Sequence, residues 1–366
     1  MRAGSRESGR GLARGPHLPW PGQITAAMVG LALSLLAGRL PRRRYARPRW
    51  RPQPPLAAQG LPTGRRSLLR AGSRASPGSP RRQPGERDPP GLRERQATRV
   101  ARWQGRETAS AEGFRRAEGG WEFTVDAGKV NTREEGWRDL KIAVVQRRPT
   151  AGPATHAEWE SRELPEATAR LMWADISAAK RFRRSWWARL RRLGLAAMAR
   201  LHVLGDGAAW IWKAAGRALS GCRQTLDIYH ASQHIATAGK RLFGEGTAEA
   251  TAFHQHGREL LLKEGWMGIC RLIGEELERE DTPRRRRALD RLLHYFLGHI
   301  GRLDYAGRLA SGDAIGSGVV EGAAKTLGLR LKARGARWRH KNARAMAALI
   351  CCRQTDQWDL FWGKAA

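Results

Sequence analysis

The sequence predicts an α/β protein in which helices flank a mixed β-sheet. Two apolar segments of strand character are followed by an acidic residue, at Asp206 and Asp227, and a third carries Asp126 near its end. Helical patterns lie between and after these segments. Strands that alternate with helices favour a sheet covered on its faces by helices.

The first strand is predicted in "WEFTVDAGKV", ending on Asp126, and the second in "WRDLKIAVVQRR". A long helix is predicted over about 164–199. "RLHVLGDGAAW" then predicts a strand, a turn at Asp206-Gly207 and a helix, and "CRQTLDIYH" repeats that plan around Asp227.

Residues 245–310 are predicted to be all-helical. The pattern is broken at "DTPRRRR", where Thr282 can cap a helix and Pro283 can occupy its first turn. The chain then reaches "AIGSGVVEGAAKT", which places Glu321 early in a further helix.

The balance of charge indicates a polyanionic partner. Lys and Arg number 67 against 34 acidic residues, which gives a formal net charge of +33. Nucleic acid is the commonest such partner, and an acidic membrane surface is the other candidate. The four cysteines show no C-x-x-C spacing, which argues against a disulfide framework or a four-cysteine zinc site and fits a reducing compartment.

Residues 1–118 are predicted to be a disordered basic segment. Residues 1–128 contain 25 Arg and no Lys, and 14 of the 18 prolines precede residue 91. Such a composition cannot bury enough apolar surface to fold. It is typical of GC-rich sequence upstream of, or out of frame with, a true start. The apolar stretch 23–38 resembles a signal peptide but is short for a membrane span, and we interpret it as accidental.

Three carboxylates are candidates for metal ligation: Asp126, Asp206 and Glu321. Carboxylates are the oxygen donors that divalent cations prefer in phosphodiester chemistry. Each lies beside a glycine-containing turn that lets backbone or substrate approach closely. The alternative is that the aspartates end strands or cap helices, and for any one of them alone that alternative is favoured.

Four segments carry a resemblance to a known family: "VLGDGAAWIW", "DIYHASQH", "RLDYAGRLASGDAIGSGVVEGAAKT" and "RLKARGARWRHKNARAMAALICCR". Across about 119–362 the chain resembles insertion-sequence DDE transposases of the Kra-type group, which is related to the Mutator-like transposases. The resemblance implies a ribonuclease-H-like core over 119–366 with Asp126, Asp206 and Glu321 as its catalytic residues. It also implies that the helices of 245–310 are an insertion before the last catalytic helix.

The resemblance further implies a magnesium- or manganese-dependent activity on DNA. One strand is hydrolysed at each end of the element, and the freed 3′ hydroxyl then attacks the target DNA. The expected partners are element ends, target DNA and further copies of the chain on that DNA, with no membrane and a cytoplasmic, nucleoid-associated location. Basic and aromatic residues of the last region are the expected DNA contacts: Lys325, Arg330, Lys332, Arg334, Arg337, Trp338 and Arg339.

Within "GSGVVEGAAKTLGLRLK", Ser317 is predicted to cap a helix. Val320, Ala324, Leu327 and Leu331 are predicted to form its buried stripe. Glu321 and Lys325 then share another face, either as a ligand and a DNA contact or as an exposed ion pair.

Asp227-x-x-His230 matches a motif that helps organise the site in Mutator-related enzymes. A helix cap at Asp227 with His230 in the first turn explains the spacing equally well.

One departure from the family pattern is Ala127, where relatives usually have glycine. The Arg/Pro segment also occupies the place of a DNA-recognition region. Two alternatives therefore stay open: a decayed transposase that only binds DNA non-specifically, and a related metal-dependent nuclease.

Overall fold

The structure is a computed structural model that describes residues 91–104, 106–107, 109–279, 282–355 and 357–363. The predicted disorder of residues up to 90 and the apolar stretch 23–38 lie outside the described residues. None of the helices in the described part of the chain has the length and apolar character needed to cross a bilayer.

The central element is a mixed five-stranded sheet. Its strands are β1 (Gly120–Thr132), β2 (Gly136–Arg148), β3 (Ala169–Asp175), β4 (Leu201–Gly205) and β5 (Arg223–Leu226), in the order β3-β2-β1-β4-β5. β2 is antiparallel to β1 and β3, whereas β4 is parallel to β1 and β5 is parallel to β4. The predicted α/β class with a mixed sheet is confirmed.

Helices precede, separate and follow the strands. They are α1 (Leu92–Gln104), α2 (Ala109–Arg116), α3 (Ala179–Arg192), α4 (Ala209–Ala218), α5 (Ile228–Phe243), α6 (Ala248–Glu264), α7 (Trp266–Leu277), α8 (Pro283–Leu297), α9 (Tyr305–Ala310), α10 (Gly318–Leu331), α11 (His340–Arg353) and α12 (Gln357–Trp362). Short 3₁₀ turns occur at Met198–Arg200 and Ile300–Arg302.

The sheet separates two apolar clusters. Side chains alternate between its faces, so Phe123 and Val125 of β1 belong to the larger cluster, where Phe123 contacts the fully buried Trp186 at a centroid distance of 5.1 Å. The intervening positions of the hairpin, such as Ile142, face a smaller cluster covered by α10 and α11. Burial of both faces explains the continuous apolar run from Ile142 to Val145 in β2, where all four residues are buried.

β1 does not end at Asp126 as predicted. It continues to Thr132, because residues 126–132 pair with 136–142 of β2 in one uninterrupted antiparallel hairpin. The hairpin turns over residues 133–135, and Gly136 has the positive φ of 68° that such a tight return requires. Glycine and asparagine in "AGKVNT" therefore do not interrupt the strand.

The helix predicted over 164–199 is wrong in its first part. Residues 169–175 form β3, and only 179–192 form helix α3. Leu171, Met172 and Trp173 are each buried, and β3 pairs with β2 from Lys141 to Arg147. Pairing with the sheet prevails over the helix propensity of Ala, Leu and Met.

Residues 92–104 and 109–116, which were predicted to belong to the disordered segment, form helices α1 and α2. Ala111 and Phe114 of α2 are buried in the larger cluster, and Phe114 packs on Trp121 with 5.7 Å between ring centroids. The folded region therefore begins before residue 119.

The helical character of 245–310 is confirmed by α6 to α9. Thr282 caps α8 by accepting a hydrogen bond from the Arg285 N–H, and Pro283 occupies the first turn. The four cysteines are free thiols, and Cys270, Cys351 and Cys352 are buried.

Candidate active site

Asp126 and Asp206 lie side by side at the point where the parallel pairing of β1 and β4 ends. Val125 opposite Gly205 is the last pair of that ladder, and each aspartate is the next residue of its strand or loop. Adjacent strands are about 4.8 Å apart. Both side chains are half-buried, and Asp126 points to the face covered by α10, since its neighbour Val125 faces the other cluster.

The turn at Asp206 is held by its own hydrogen bonds. The Asp206 Oδ1 accepts the Ala208 N–H at 2.8 Å, and the indole N–H of the buried Trp212 donates to the Asp206 carbonyl at 2.9 Å. Trp212 is therefore a packing residue that fixes the turn.

Asp126 is electrostatically coupled to the other candidates. Burial raises the pKa of its carboxyl group, and the neighbouring charges of Asp206 and Glu321 raise it further. The hydrogen bond from the Ala127 N–H, at 2.6 Å, and the charge of His230 act in the opposite direction. Asp206 and Glu321 therefore both lie close enough to Asp126 for their charges to act on it.

Glu321 approaches from α10, which packs across β1 and β2. Its side chain is 53% exposed and forms an ion pair with Lys325 at 3.0 Å. Within the described residues, no three His, Cys, Asp or Glu side chains form a group arranged to hold a metal ion. Glu321 is therefore near the aspartates but engaged by Lys325.

Helix α10 buries Val320, Leu327 and Leu331 as predicted, whereas Ala323 is the buried alanine and Ala324 is only half-buried. Ser317 occupies the N-cap position, but its side chain does not cap the helix. Its hydroxyl donates to Asp227 Oδ2 at 2.7 Å instead, and its N–H donates to the same oxygen. The predicted cap is corrected to a link between α10 and the end of β5.

Asp227 is 2% exposed and has both carboxylate oxygens engaged. Its Oδ1 accepts the His230 N–H at 2.9 Å, which makes Asp227 the N-cap of α5, and lies 3.2 Å from His230 Nδ1. Burial alone raises the pKa of Asp227, but the hydrogen bonds from His230 and Ser317 together outweigh it and lower the pKa. The helix-cap interpretation is confirmed, and the same carboxylate also orders the site.

His230 lies beside the carboxylates, which favour its protonated form. The hydrogen bond to Asp227 raises the pKa of its imidazole, burial opposes this, and the charges of Asp227, Asp206 and Asp126 raise it further. With Nδ1 directed to Asp227 and the side chain 40% exposed, the Nε2–H of the protonated ring is left for a ligand.

Tyr295 of α8 is a site residue that the sequence analysis missed. A Cβ placed on Gly207 would lie 2.6 Å from its ring and hydroxyl, and the ring stacks on His234 at a centroid distance of 3.4 Å. The hydroxyl is buried without a hydrogen-bond partner among the described residues. Burial raises the pKa of Tyr295, and Asp206 and Asp227 add to this. No sequence motif surrounds Tyr295, so only the fold reveals its position.

The predicted DNA contacts divide into two groups. Lys332, Arg334, Arg337 and Arg339 are exposed beyond the end of α10. Lys325 and Arg330 are also exposed, but Lys325 pairs with Glu321 and the Arg330 guanidinium lies 5.8 Å from the Trp338 ring centroid.

Trp338 has a structural role. Its indole N–H donates to the Leu331 carbonyl at 3.1 Å, and its backbone N–H donates to the Asn131 carbonyl at 3.0 Å. These contacts fasten the segment after α10 to the end of β1 and so fix the exposed arginines near the sheet.

No family model matches the chain, and no curated protein matches it. The fold sets Asp126 beside Asp206, brings Asp227 and His230 near them, and places Glu321 on helix α10, which packs on β1.

Proposed function

We propose that this chain is the core of a DNA transposase that cleaves a strand at each element end and joins it to target DNA. The observation that carries the proposal is the register of β1 and β4, which sets Asp206 beside Asp126 on the strand that the Glu321 helix covers. The charges of Asp206 and Glu321, which both raise the pKa of Asp126, support the same conclusion.

The order of elements also supports a ribonuclease-H-like core of the kind that the resemblance implies. Asp126 lies on the first strand, Asp206 directly follows the fourth, and Glu321 lies on a late helix. Helices α6 to α9 stand between the last strand and that helix, where the family has its helical insertion.

Asp126, Asp206 and Glu321 are the residues that would hold Mg²⁺ or Mn²⁺. The donor set fits, since three carboxylates supply the hard oxygen ligands that these cations require. Asp126 also carries a raised pKa that a cation would relieve. Bound divalent cations activate the attacking oxygen and stabilise the leaving oxygen of a phosphodiester.

The protein's own groups would position the DNA and supply a proton. His230, held through Nδ1 by Asp227, presents Nε2–H to the O3′ or non-bridging oxygen of a phosphodiester beside the aspartates. The link from Asp227 to Ser317 fixes the start of α10 and with it the position of Glu321. Exposed Lys332, Arg334, Arg337 and Arg339 would neutralise backbone phosphates.

The partners in this proposal are element ends, target DNA and further copies of the chain bound to the same DNA. The proposed location is the cytoplasm, in association with the nucleoid.

A second candidate is favoured by the Glu321–Lys325 ion pair. If that pair persists when divalent cations are present, the site lacks its third ligand, and the chain is a decayed transposase that only binds DNA. The test is cleavage of DNA carrying the sequences that flank the gene, with and without Mg²⁺. Cation-dependent nicking at a defined position supports the transposase. Salt-sensitive binding without nicking supports the remnant, and nicking that ignores the end sequence supports a general nuclease.

A further inference from the structure

A groove of about 1050 Å³ runs along the outer edge of β3, away from the carboxylates. β3 is an edge strand of the sheet, and its residues Trp173, Ala174 and Asp175 line the groove. The walls come from α1, from α3 on one face of the sheet and from α11 on the other. The groove is therefore a built feature of the fold rather than a gap beside one helix.

The groove is strongly basic. Seven of its lining residues are Arg or Lys and two, Glu94 and Asp175, are acidic. Three of the basic residues are engaged: Arg344 pairs with Asp175, Arg189 lies over the Trp173 ring at 5.0 Å, and Arg99 donates to Gln96.

The side chains of the other four basic residues have no hydrogen bond or ion pair with any described residue. They are Arg95, Arg102, Arg181 and Lys341, and all four are exposed. Like charges gathered in one concave site repel one another and attract an anionic ligand. The chain's first 90 residues, with 18 Arg and three acidic residues, have the wrong charge to be that ligand.

We propose that this groove binds the phosphate backbone of a nucleic-acid strand. Arg95, Arg99 and Arg102 follow the i, i+4, i+7 spacing of one helix face, so Arg95 and Arg102 are about 10 Å apart along α1. Such a row of positive charges is complementary to a series of negative charges along an extended ligand rather than to a single anion. Six of the seven basic groups are guanidinium groups, which bind phosphate through paired hydrogen bonds.

The location also favours nucleic acid. Lys141 of β2 is paired with Ala127 on one side and with Asp175 on the other. Two inter-strand spacings, together about 10 Å, therefore separate Asp175 in the wall of the groove from Ala127, the residue next to Asp126. The charge and shape of the groove do not depend on the proposed function. The choice of nucleic acid over another polyanion does rest on it.

The test is binding of fluorescein-labelled oligo-dT to the full chain in EDTA, so that no cleavage occurs, across a range of salt concentrations. Replacing Arg95, Arg102 and Arg181 by Ala should reduce the slope of log K against log salt by about 2, since each phosphate contact on a single strand contributes about 0.7. The matched control replaces Arg184, Arg284 and Arg287, which are exposed and lie outside the groove. An equal change in both triple variants would show that only net charge matters and would overturn the proposal.

Acetylation of lysines, read by mass spectrometry, locates the ligand without any substitution. Oligo-dT should protect Lys341 from acetylation and leave the exposed Lys213 of α4 reactive. Poly-Glu at the same charge concentration should protect Lys341 much less. Equal protection by poly-Glu, or none by oligo-dT, contradicts a nucleic-acid groove. Because cleavage plays no part in either measurement, a failed groove is distinguishable from a failed active site.

Discussion

Asp227 and Ser317, 90 residues apart in the chain, are joined by two hydrogen bonds to one carboxylate oxygen. The same carboxylate caps α5 and contacts His230 through its other oxygen. A single buried side chain therefore fixes the end of β5, the start of α5 and the start of α10 relative to one another. Because Glu321 lies in the first turn of α10, this link fixes the part of the helix that carries Glu321.

The link predicts the titration of His230. Its pKa lies above the ordinary 6.5 because the protonated ring donates to Asp227. The stabilisation from this contact is fully present below pH 6.5 and is lost as the pH rises through the higher folded pKa. Asp227→Asn removes the negative charge and should lower the pKa of His230, measured by NMR with His230→Gln to assign the signal. An unchanged titration in Asp227→Asn would show that Asp227 does not hold the imidazole.

A second prediction concerns Gly207, directly after Asp206. Gly207→Ala places a Cβ 2.6 Å from Tyr295, whose ring is held against His234. The free energy of unfolding should fall by about 1–3 kcal/mol, as in other overpacked sites. Gly216→Ala is the control, because Gly216 is exposed in α4 with nothing within 4 Å of its Cβ position.

Gly216→Ala should raise the free energy of unfolding by about 0.5–1 kcal/mol, since alanine favours the helix. The measurement is chemical denaturation of both variants. Adding Tyr295→Leu to Gly207→Ala should recover part of the loss. If the double variant is no more stable than Gly207→Ala, the contact with Tyr295 is not the cause.

A third prediction concerns where folding begins. Phe114 is buried against Trp121, so Phe114→Ala should lower the free energy of unfolding by about 3–5 kcal/mol. Limited proteolysis should accordingly leave a resistant fragment that keeps residues 109–116 and not one that starts near 119. A fragment starting after 118 with the same unfolding midpoint would show that α2 does not contribute.

The sequence predicts those elements whose signal is local. Asp227 as a cap, Thr282 with Pro283 at the start of α8 and the strand before Asp206 all have residue types that specify them within a few positions. The three carboxylates are candidates by position, each beside a glycine-containing turn, and their role in metal binding stays a prediction.

Features that depend on distant pairing are not predictable in this way. "ARLMWAD" resembles a helix by composition and becomes β3 only because β2 is available to pair with it. Ser317 looks like a helix cap, and only the folded chain brings Asp227 within reach of its hydroxyl. Tyr295 reaches Gly207 through the packing of α8 on α5. Each is a tertiary contact without a local pattern.

The most direct test of the central claim is Mg²⁺-dependent cleavage of DNA carrying the element ends by Asp206→Asn and Glu321→Gln. Each substitution keeps the shape of the side chain and removes the charge that a hard cation requires. Both variants should lose cleavage while their unfolding midpoints and DNA affinity at fixed salt stay close to those of the unmodified chain. Cleavage by Asp206→Asn at the unmodified rate would contradict the account, because it would remove Asp206 from the site.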